Sequence, residues 1–506
     1  MREQLALLPH LLTAHLSLSL SALLVGVSIS LPLGALAARR PWLAQLAQSA
    51  AALVQTIPSL ALLALMVPLL GALGGASIGF LPAFLALVLY SLLPVLGNTI
   101  TALTTLPAEI SEAAQGVGMN RWQQLTRVEL PLALPVIVAG IRTAAVWTVG
   151  AATLATPVGA DSLGNFIFSG LQTRNFNAVL VGCVASAALA LLLDGLGKLL
   201  LSGIARRRRS RTAFALAALF SLYAYAGVAL ASARFAAADS LVVGAKTFTE
   251  QYILADLLAQ RLRDATERPV QVRASLGSTV AFDALESGGI DAYVDYSGTL
   301  WSNVMKRGAP PERSQMLREI QTYLAGRGLR LVAELGFENS YALAMQRSRA
   351  EQLQVRGIGD LARVSAELVM GADYEFFARP EWALLSRTYG IDFRERRSMD
   401  PSLMYQAVAT GAVDVISAFS TDGRIAAYDL VVLEDEQRAI PPYDALVLVG
   451  RRLVERYPRG VDALAELSHV LDSEQMRRLN RAVDIDRRSV AEVAREFSKL
   501  LPGPAR

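Results

Sequence analysis

The 506-residue chain has a single cysteine and three histidines. Cys183 alone excludes an intramolecular disulfide, and its place within an apolar run marks it as a helix-packing residue. His10, His15 and His469 are scattered and, with one cysteine, cannot make a metal-binding cluster. A phosphate-cradling G-x-x-x-x-G-K-[ST] loop is also missing, since Gly195-Leu196-Gly197-Lys198 closes an apolar run without that spacing. No cofactor, metal or nucleotide-hydrolysing site is expected. Charge is scarce in the first half: residues 1–239 hold 14 Lys/Arg against 7 Asp/Glu, and residues 240–506 hold 34 against 37. The net charge of +4 therefore belongs to the apolar half. It makes no case for nucleic-acid binding, because the arginine run has a topological explanation.

Hydrophobicity is abundant, at 53% of residues. Spanning a bilayer takes about 20 apolar residues as a helix, and six runs qualify, near 15–38, 48–71, 79–103, 131–155, 177–204 and 212–235. If they alternate, Arg39-Arg40, Arg121 with Arg127, and Arg206 to Arg209 with Arg211 all fall on one side. Basic residues mark the cytoplasmic side. The sixth span then delivers everything after about residue 238 to the outer face. That segment has a second reading: Arg206 to Arg211, the apolar stretch from Thr212 and Ala229-Leu230-Ala231 look like a secretory leader with a small-residue cleavage site. Its length favours a retained anchor. Pro58, Pro94 and Pro135 lie inside spans, where proline kinks a helix or is tolerated for packing.

Between the third and fourth spans lies a polar insert, 107–130. Pro107 to Val117 reads as a short helix with Glu109 and Glu112 near its positive end. Gly118 can take the left-handed conformation that ends it. Asn120 can cap a second helix, with Gln123 as the reciprocal partner. Glu112-Ala113-Ala114, Gly118 and Leu130-Pro131 stand at the spacing E-A-A-x3-G-x9-(apolar)-x-L-P. This resembles the cytoplasmic coupling loop of ABC importer membrane subunits, which implies docking of a separate ATPase subunit there. The plainer reading is an amphipathic loop between two spans.

Beyond Ser240 the pattern changes to alternating strands and helices. Leu241 to Gly244 reads as a buried strand, Glu250 to Asp264 as a helix, Val270 to Val272 as the next strand's start, Thr279 to Glu286 as a helix and Ile290 to Tyr296 as a third strand. About 265 residues suffice for two lobes with a ligand between them at the strand ends. The expected fold is an all-α polytopic membrane domain (1–205), a basic segment with a sixth helix (206–239), then a two-lobed α/β periplasmic-binding-protein-like domain (240–506). Its first lobe is expected near 240–344 and 445–506, and its second near 345–444.

Lys246-Thr247-Phe248-Thr249-Glu250-Gln251, Asp291 to Thr299, Ser420 to Ile425 and Pro441-Pro442-Tyr443 resemble the binding proteins of ProU/Opu-type osmoprotectant importers. The resemblance covers essentially all of 240–506, and the first half is similar to the matching permease. It implies an aromatic box for a quaternary ammonium, with Tyr296, Tyr341 and Tyr443 as box tyrosines. Phe419 stands where a fourth tyrosine is expected; it keeps a ring face without the hydroxyl. Lys246, Thr299 and Arg379 match the residues that take a ligand's carboxylate, and Tyr374, Phe376 and Phe377 are further aromatics near the cleft. Taken singly, such tyrosines are usually core and such cations usually solvated, so the inference rests on the set. A trimethylammonium group has no N–H to donate, and aromatic faces recognise its charge. A carboxylate wants a guanidinium fork or an ammonium.

The resemblance implies a fused permease and substrate-binding subunit in the inner (plasma) membrane, with its C-terminal domain on the periplasmic or extracellular face. It would work as a homodimer of the membrane half, driven by a separate ATPase. The expected ligand is glycine betaine or a related betaine, with ergothioneine or choline as alternatives. A membrane-anchored ligand sensor is the reading of another class; it would call for a cytoplasmic signalling domain, and the loops between spans are short.

Overall fold

The computed structural model describes the chain except residues 1, 74–77, 174, 238–239, 309–310 and 502–506. It divides into two compact units, Met1–Ile167 with Asn177–Ala238, and Phe168–Phe176 with Asp239–Arg506.

The first unit is helical. Gln4–Ala37, Phe80–Thr104, Arg121–Val158, Phe176–Ala205 and Arg209–Ser232 are each long and apolar enough to cross a bilayer. The second expected span is not one helix. Pro41–Thr56 and Ser59–Ala72 meet at 98°. Pro58 cannot donate a backbone N–H and pushes the residue before it out of the helical region, and Ile57 is extended at φ −75°, ψ 125°. Pro94 and Pro135, by contrast, lie inside unbroken helices.

The bent pair still carries the chain across. Arg39 Nη2 lies 3.3 Å from Glu129 Oε2 and from the Arg121 carbonyl, so the end of the first helix sits beside the 121–129 segment. At the other end, the Gly79 N–H donates to the Val158 carbonyl at 2.8 Å. Residues 40 and 79 therefore belong to opposite ends of the bundle, so that, counting the bent pair as one, the described residues hold six candidate crossings. Small residues allow close helix approach: a Cβ on Gly140 would stand 2.6 Å from the Pro94 carbonyl. Within the bundle, Arg142 Nε and Nη2 lie 2.9 and 2.6 Å from Asp194 Oδ1, and Lys198 Nζ lies 2.7 Å from Asp194 Oδ2. Each charge thus has a partner where an unpaired one would be costly.

The second unit has ten strands among its described residues: β1 Leu241–Lys246, β2 Val270–Leu276, β3 Ala292–Tyr296, β4 Arg330–Glu338, β5 Tyr341–Gln346, β6 Val369–Ala372, β7 Glu395–Ser398, β8 Val415–Phe419, β9 Leu430–Val432 and β10 Asp444–Val449. They form two five-stranded sheets, ordered β2-β1-β3-β10-β4 and β7-β6-β8-β5-β9. β1 runs parallel to β2 and β3, while β10 is antiparallel to β3 and β4. Apolar runs such as 243–245 and 445–449 are buried throughout, as strands covered on both faces require. The chain passes to the second sheet between Glu338 and Tyr341 and returns after Val432. β5 therefore belongs to the second lobe, whereas the expected boundary fell near residue 344. The reason is local: Asn339-Ser340 ends β4, and Tyr341 to Met345 pair with Val415 to Phe419.

Candidate functional site

Strand pairing decides what meets what. β10 is antiparallel to β3, so its beginning lies beside the end of β3, with Ala445 opposite Tyr296. β5 and β8 repeat this in the second lobe, with Tyr341 opposite Phe419. Residues at the ends of β1, β3 and β8 and the beginnings of β5 and β10 thus gather at one edge of each sheet.

The result is a ring cluster drawn from both lobes. Tyr341 lies 5.2 Å from Phe419, 5.9 Å edge-on to Tyr443 and 5.1 Å from Phe376. Phe248 lies 5.9 Å from Phe419, nearly parallel, and 6.1 Å from Tyr296. Tyr296, Tyr341 and Tyr443 are buried. Burial holds their hydroxyls well above the ordinary phenol range, so they stay protonated; those of Tyr296 and Tyr443 donate to Glu250 and Glu381. Gly298 is a local requirement for this arrangement: a Cβ there would stand 2.7 to 2.9 Å from three carbons of the Tyr443 ring. Of the other aromatics, Phe376 joins the cluster, Phe377 packs on Trp382 at 5.3 Å and Tyr374 is exposed.

The polar residues divide. Arg379 is 7% exposed, with its guanidinium carbon 5.2 Å over the Tyr341 ring. Nη2 donates to Glu375 at 3.0 Å, Nη1 lies 3.5 Å from Glu381 Oε1, and the Asn303 amide oxygen, oriented by the network, accepts from both Nη atoms at 3.2 Å. Glu381 Oε1 also accepts the Tyr443 hydroxyl. Lys246 is buried against Asp295 and lies 5.6 Å from the Tyr296 ring, so its charge is already balanced within the first lobe. Thr299 is buried in the Ser297–Thr299 turn beside Gly298.

A second junction joins the lobes through Glu250. Its carboxyl accepts from Tyr296 Oη at 2.5 Å and Asn339 Nδ2 at 2.9 Å on one oxygen, and from Thr421 Oγ1 at 2.5 Å and Asn480 Nδ2 at 3.2 Å on the other. Burial raises this carboxyl above the ordinary range, against the lowering effect of those donors. Gly423 lets the following loop seat on the helix Ser473–Asp484, where a Cβ would stand 2.8 Å from the Arg481 backbone. A small cavity beside this junction is lined by Phe248, Glu250, Asn339, Phe419, Thr421 and Asp484.

Tyr296, Tyr341, Phe419, Tyr443 and Arg379 are thus brought together. Phe248, Glu250 and Glu381 were not read as site residues. Phe248 and Glu250 stand inside a quoted motif, whereas Glu381 gave no signal beyond following Arg379-Pro380.

The polar insert of the helical unit takes the expected form. Glu112, Ala113 and Ala114 lie in the helix Ala108–Gly116. Gly118 has φ +80°, Asn120 and Gln123 make the reciprocal cap at 3.0 and 2.8 Å, and Leu130 and Pro131 begin the fourth crossing's main helix. Val117 and Trp122 are 74% and 71% exposed on this loop.

Comparison with known proteins agrees with both halves. Residues 239–499 match the substrate-binding domain of ABC-type glycine betaine transport systems, and 30–206 match the inner-membrane component of binding-protein-dependent transport systems. The chain is 31% identical over 460 residues to the ergothioneine transport permease/ergothioneine binding protein EgtU of Helicobacter pylori, covering 88% of this chain and 82% of that protein. Its first half is 44% identical over 182 residues to the osmoprotectant import permease protein OsmW of Salmonella typhimurium, covering 36% of this chain and 84% of that one. Its second half is 33% identical over 283 residues to a glycine-betaine-binding protein of Pseudomonas aeruginosa, covering 53% and 90%. The chain belongs to the glycine betaine/osmoprotectant family of ABC importers, as a multi-pass membrane permease fused to its substrate-binding domain.

Proposed function

We propose that the α/β unit faces outward and captures a betaine in the ring cluster, closing its lobes on it and passing it to a pore formed by two copies of the helical unit. The observation that carries this reading is the cluster itself, in which Tyr296, Tyr341, Phe419 and Tyr443 come from both lobes with Arg379 5.2 Å over one ring. Each aromatic face on a quaternary ammonium contributes about 0.5–2 kcal/mol, depending on desolvation. Arg379 would take the carboxylate; Thr299 and Lys246 belong to the same family set, but Lys246 is already paired with Asp295. Permease and binding domains of an ABC importer are not themselves ATPases, so a separate ATPase subunit drives the cycle; we place its docking at the 107–130 loop, where Val117 and Trp122 are exposed.

Glycine betaine or a related betaine is the ligand on this reading. Ergothioneine, a betaine with a bulkier ring, is favoured by one specific observation: the relative named for it shares the fused organisation over 460 residues. The test is uptake of labelled betaine into vesicles holding this chain and its ATPase. Accumulation should need ATP and should fall with Tyr443→Ala; ATP-independent uptake, or uptake indifferent to that change, contradicts the proposal.

A further inference from the structure

Three charged atoms beside Tyr341 and Tyr443 are buried with no hydrogen-bond partner among the described residues: Glu381 Oε2, Asp373 Oδ2 and Arg379 Nε. All three residues are more than nine-tenths buried, at 2%, 5% and 7% exposure. Their other atoms are committed. Glu381 Oε1 takes the Tyr443 hydroxyl and faces Arg379 Nη1 at 3.5 Å. Asp373 Oδ1 accepts the backbone N–H groups of Glu375 and Phe376 at 2.8 and 3.0 Å, holding the turn that leads to Arg379. Each carboxyl is therefore fixed by one oxygen and leaves the other unsatisfied. Buried polar groups are nearly always paired, and an unpaired one is costly. Orphans this close to a ring cluster that lies between two lobes are what a ligand would satisfy.

The chemistry of the orphans sorts ligands. Arg379 Nε is a donor and suits a carboxylate oxygen. The two carboxyl oxygens are acceptors and need an N–H or O–H. A trimethylammonium group supplies neither, and glycine betaine has no hydrogen-bond donor anywhere. Choline has a hydroxyl but no carboxylate. We infer that the site selects betaines that carry an additional N–H or O–H donor, and that Glu381 reads this donor. The inference rests on the betaine reading above and narrows it. Ergothioneine, through its ring N–H, and carnitine, through its hydroxyl, are the two donor chemistries that fit.

The test uses the full chain in detergent and calorimetry with matched ligands. Carnitine differs from γ-butyrobetaine only by its hydroxyl, while ergothioneine supplies the N–H arm and glycine betaine the donorless one. The parent should bind carnitine or ergothioneine at least about tenfold more tightly than either donorless betaine, the size of one hydrogen bond to a charged group; which of the two leads identifies the donor. Glu381→Gln keeps an oxygen for Tyr443, because Arg379 Nη1 faces that position, and places an NH2 where the orphan oxygen stood. Donor then meets donor, and the ratio of donor-bearing to donorless affinities should collapse to near unity. Parental affinities for carnitine and ergothioneine that both fail to exceed those of the donorless betaines, or a preference that survives Glu381→Gln, overturn the inference and leave the betaine reading standing. If no betaine binds the parent, the reading itself fails and takes the inference with it.

Discussion

Replacing Gly298 by Ala should damage the proposed ligand site without removing any group that would contact a ligand. The added Cβ would stand 2.7, 2.7 and 2.9 Å from Cε2, Cζ and Cδ2 of Tyr443, where carbon atoms pack best at about 3.5–4.0 Å. The ring cannot simply swing aside, because its hydroxyl is tied to Glu381 and its edge lies on Tyr341. Overpacking of this kind costs about 1–3 kcal/mol. At about 2–4 °C per kcal/mol for a domain of 150–250 residues, that is a drop of several degrees in the melting temperature of the outer unit. Binding should weaken by the loss of one aromatic face, about 0.5–2 kcal/mol, or roughly two- to thirtyfold. Calorimetry on the full chain measures the loss, and a double-mutant cycle locates it. In the background of Tyr443→Ala the clash partner is gone, so adding Gly298→Ala should cost no further affinity. Additive losses, or a Gly298→Ala protein that binds as well as the parent while Tyr443→Ala does not, would refute the reasoning.

Arg379→Ala should weaken carboxylated ligands about ten- to hundredfold, as expected for a charge-assisted contact of roughly 1.5–3 kcal/mol, and weaken choline much less; equal losses for both remove the carboxylate role. Gly118→Val forces a β-branched residue to φ +80°, a strain of about 1–2 kcal/mol, so transport should fall while ligand affinity stays unchanged; normal uptake would mean this loop does not carry the coupling. Burial raises the Glu250 carboxyl, so the fold favours its protonated form. That contribution is complete below the unfolded carboxyl range and is lost as pH rises through the raised folded value. The melting temperature of the parent should therefore decline over this interval, and Glu250→Gln should flatten the decline; identical profiles would contradict the assignment.

Much of this was legible in the chain. The positions of the spans follow from apolar run length, and the Arg39 to Glu129 contact agrees with the alternation inferred from the arginines. The break at Pro58 was harder to see, because Pro94 and Pro135 carry the same residue inside intact helices. The capped, bent insert of 107–130 was readable because its signals are local: a glycine, an asparagine and a glutamine at fixed offsets. The ring residues could be placed only through family motifs, since pairing between β5 and β8 or β3 and β10 joins positions far apart in sequence. Glu381 and Glu250 escaped for the same reason. Their partners, Tyr443 and Thr421, stand 62 and 171 residues away, and no spacing rule reaches that far.

The measurement that bears most directly on the account is calorimetry of the full chain against glycine betaine, proline betaine, carnitine, choline and ergothioneine, repeated with Tyr443→Ala. At least one betaine should bind more tightly than choline, and every quaternary ligand that binds should lose affinity in the variant. No binding of any of the five, choline binding better than all the betaines, or affinities unmoved by Tyr443→Ala would contradict the claim that the ring cluster between the lobes is a betaine site.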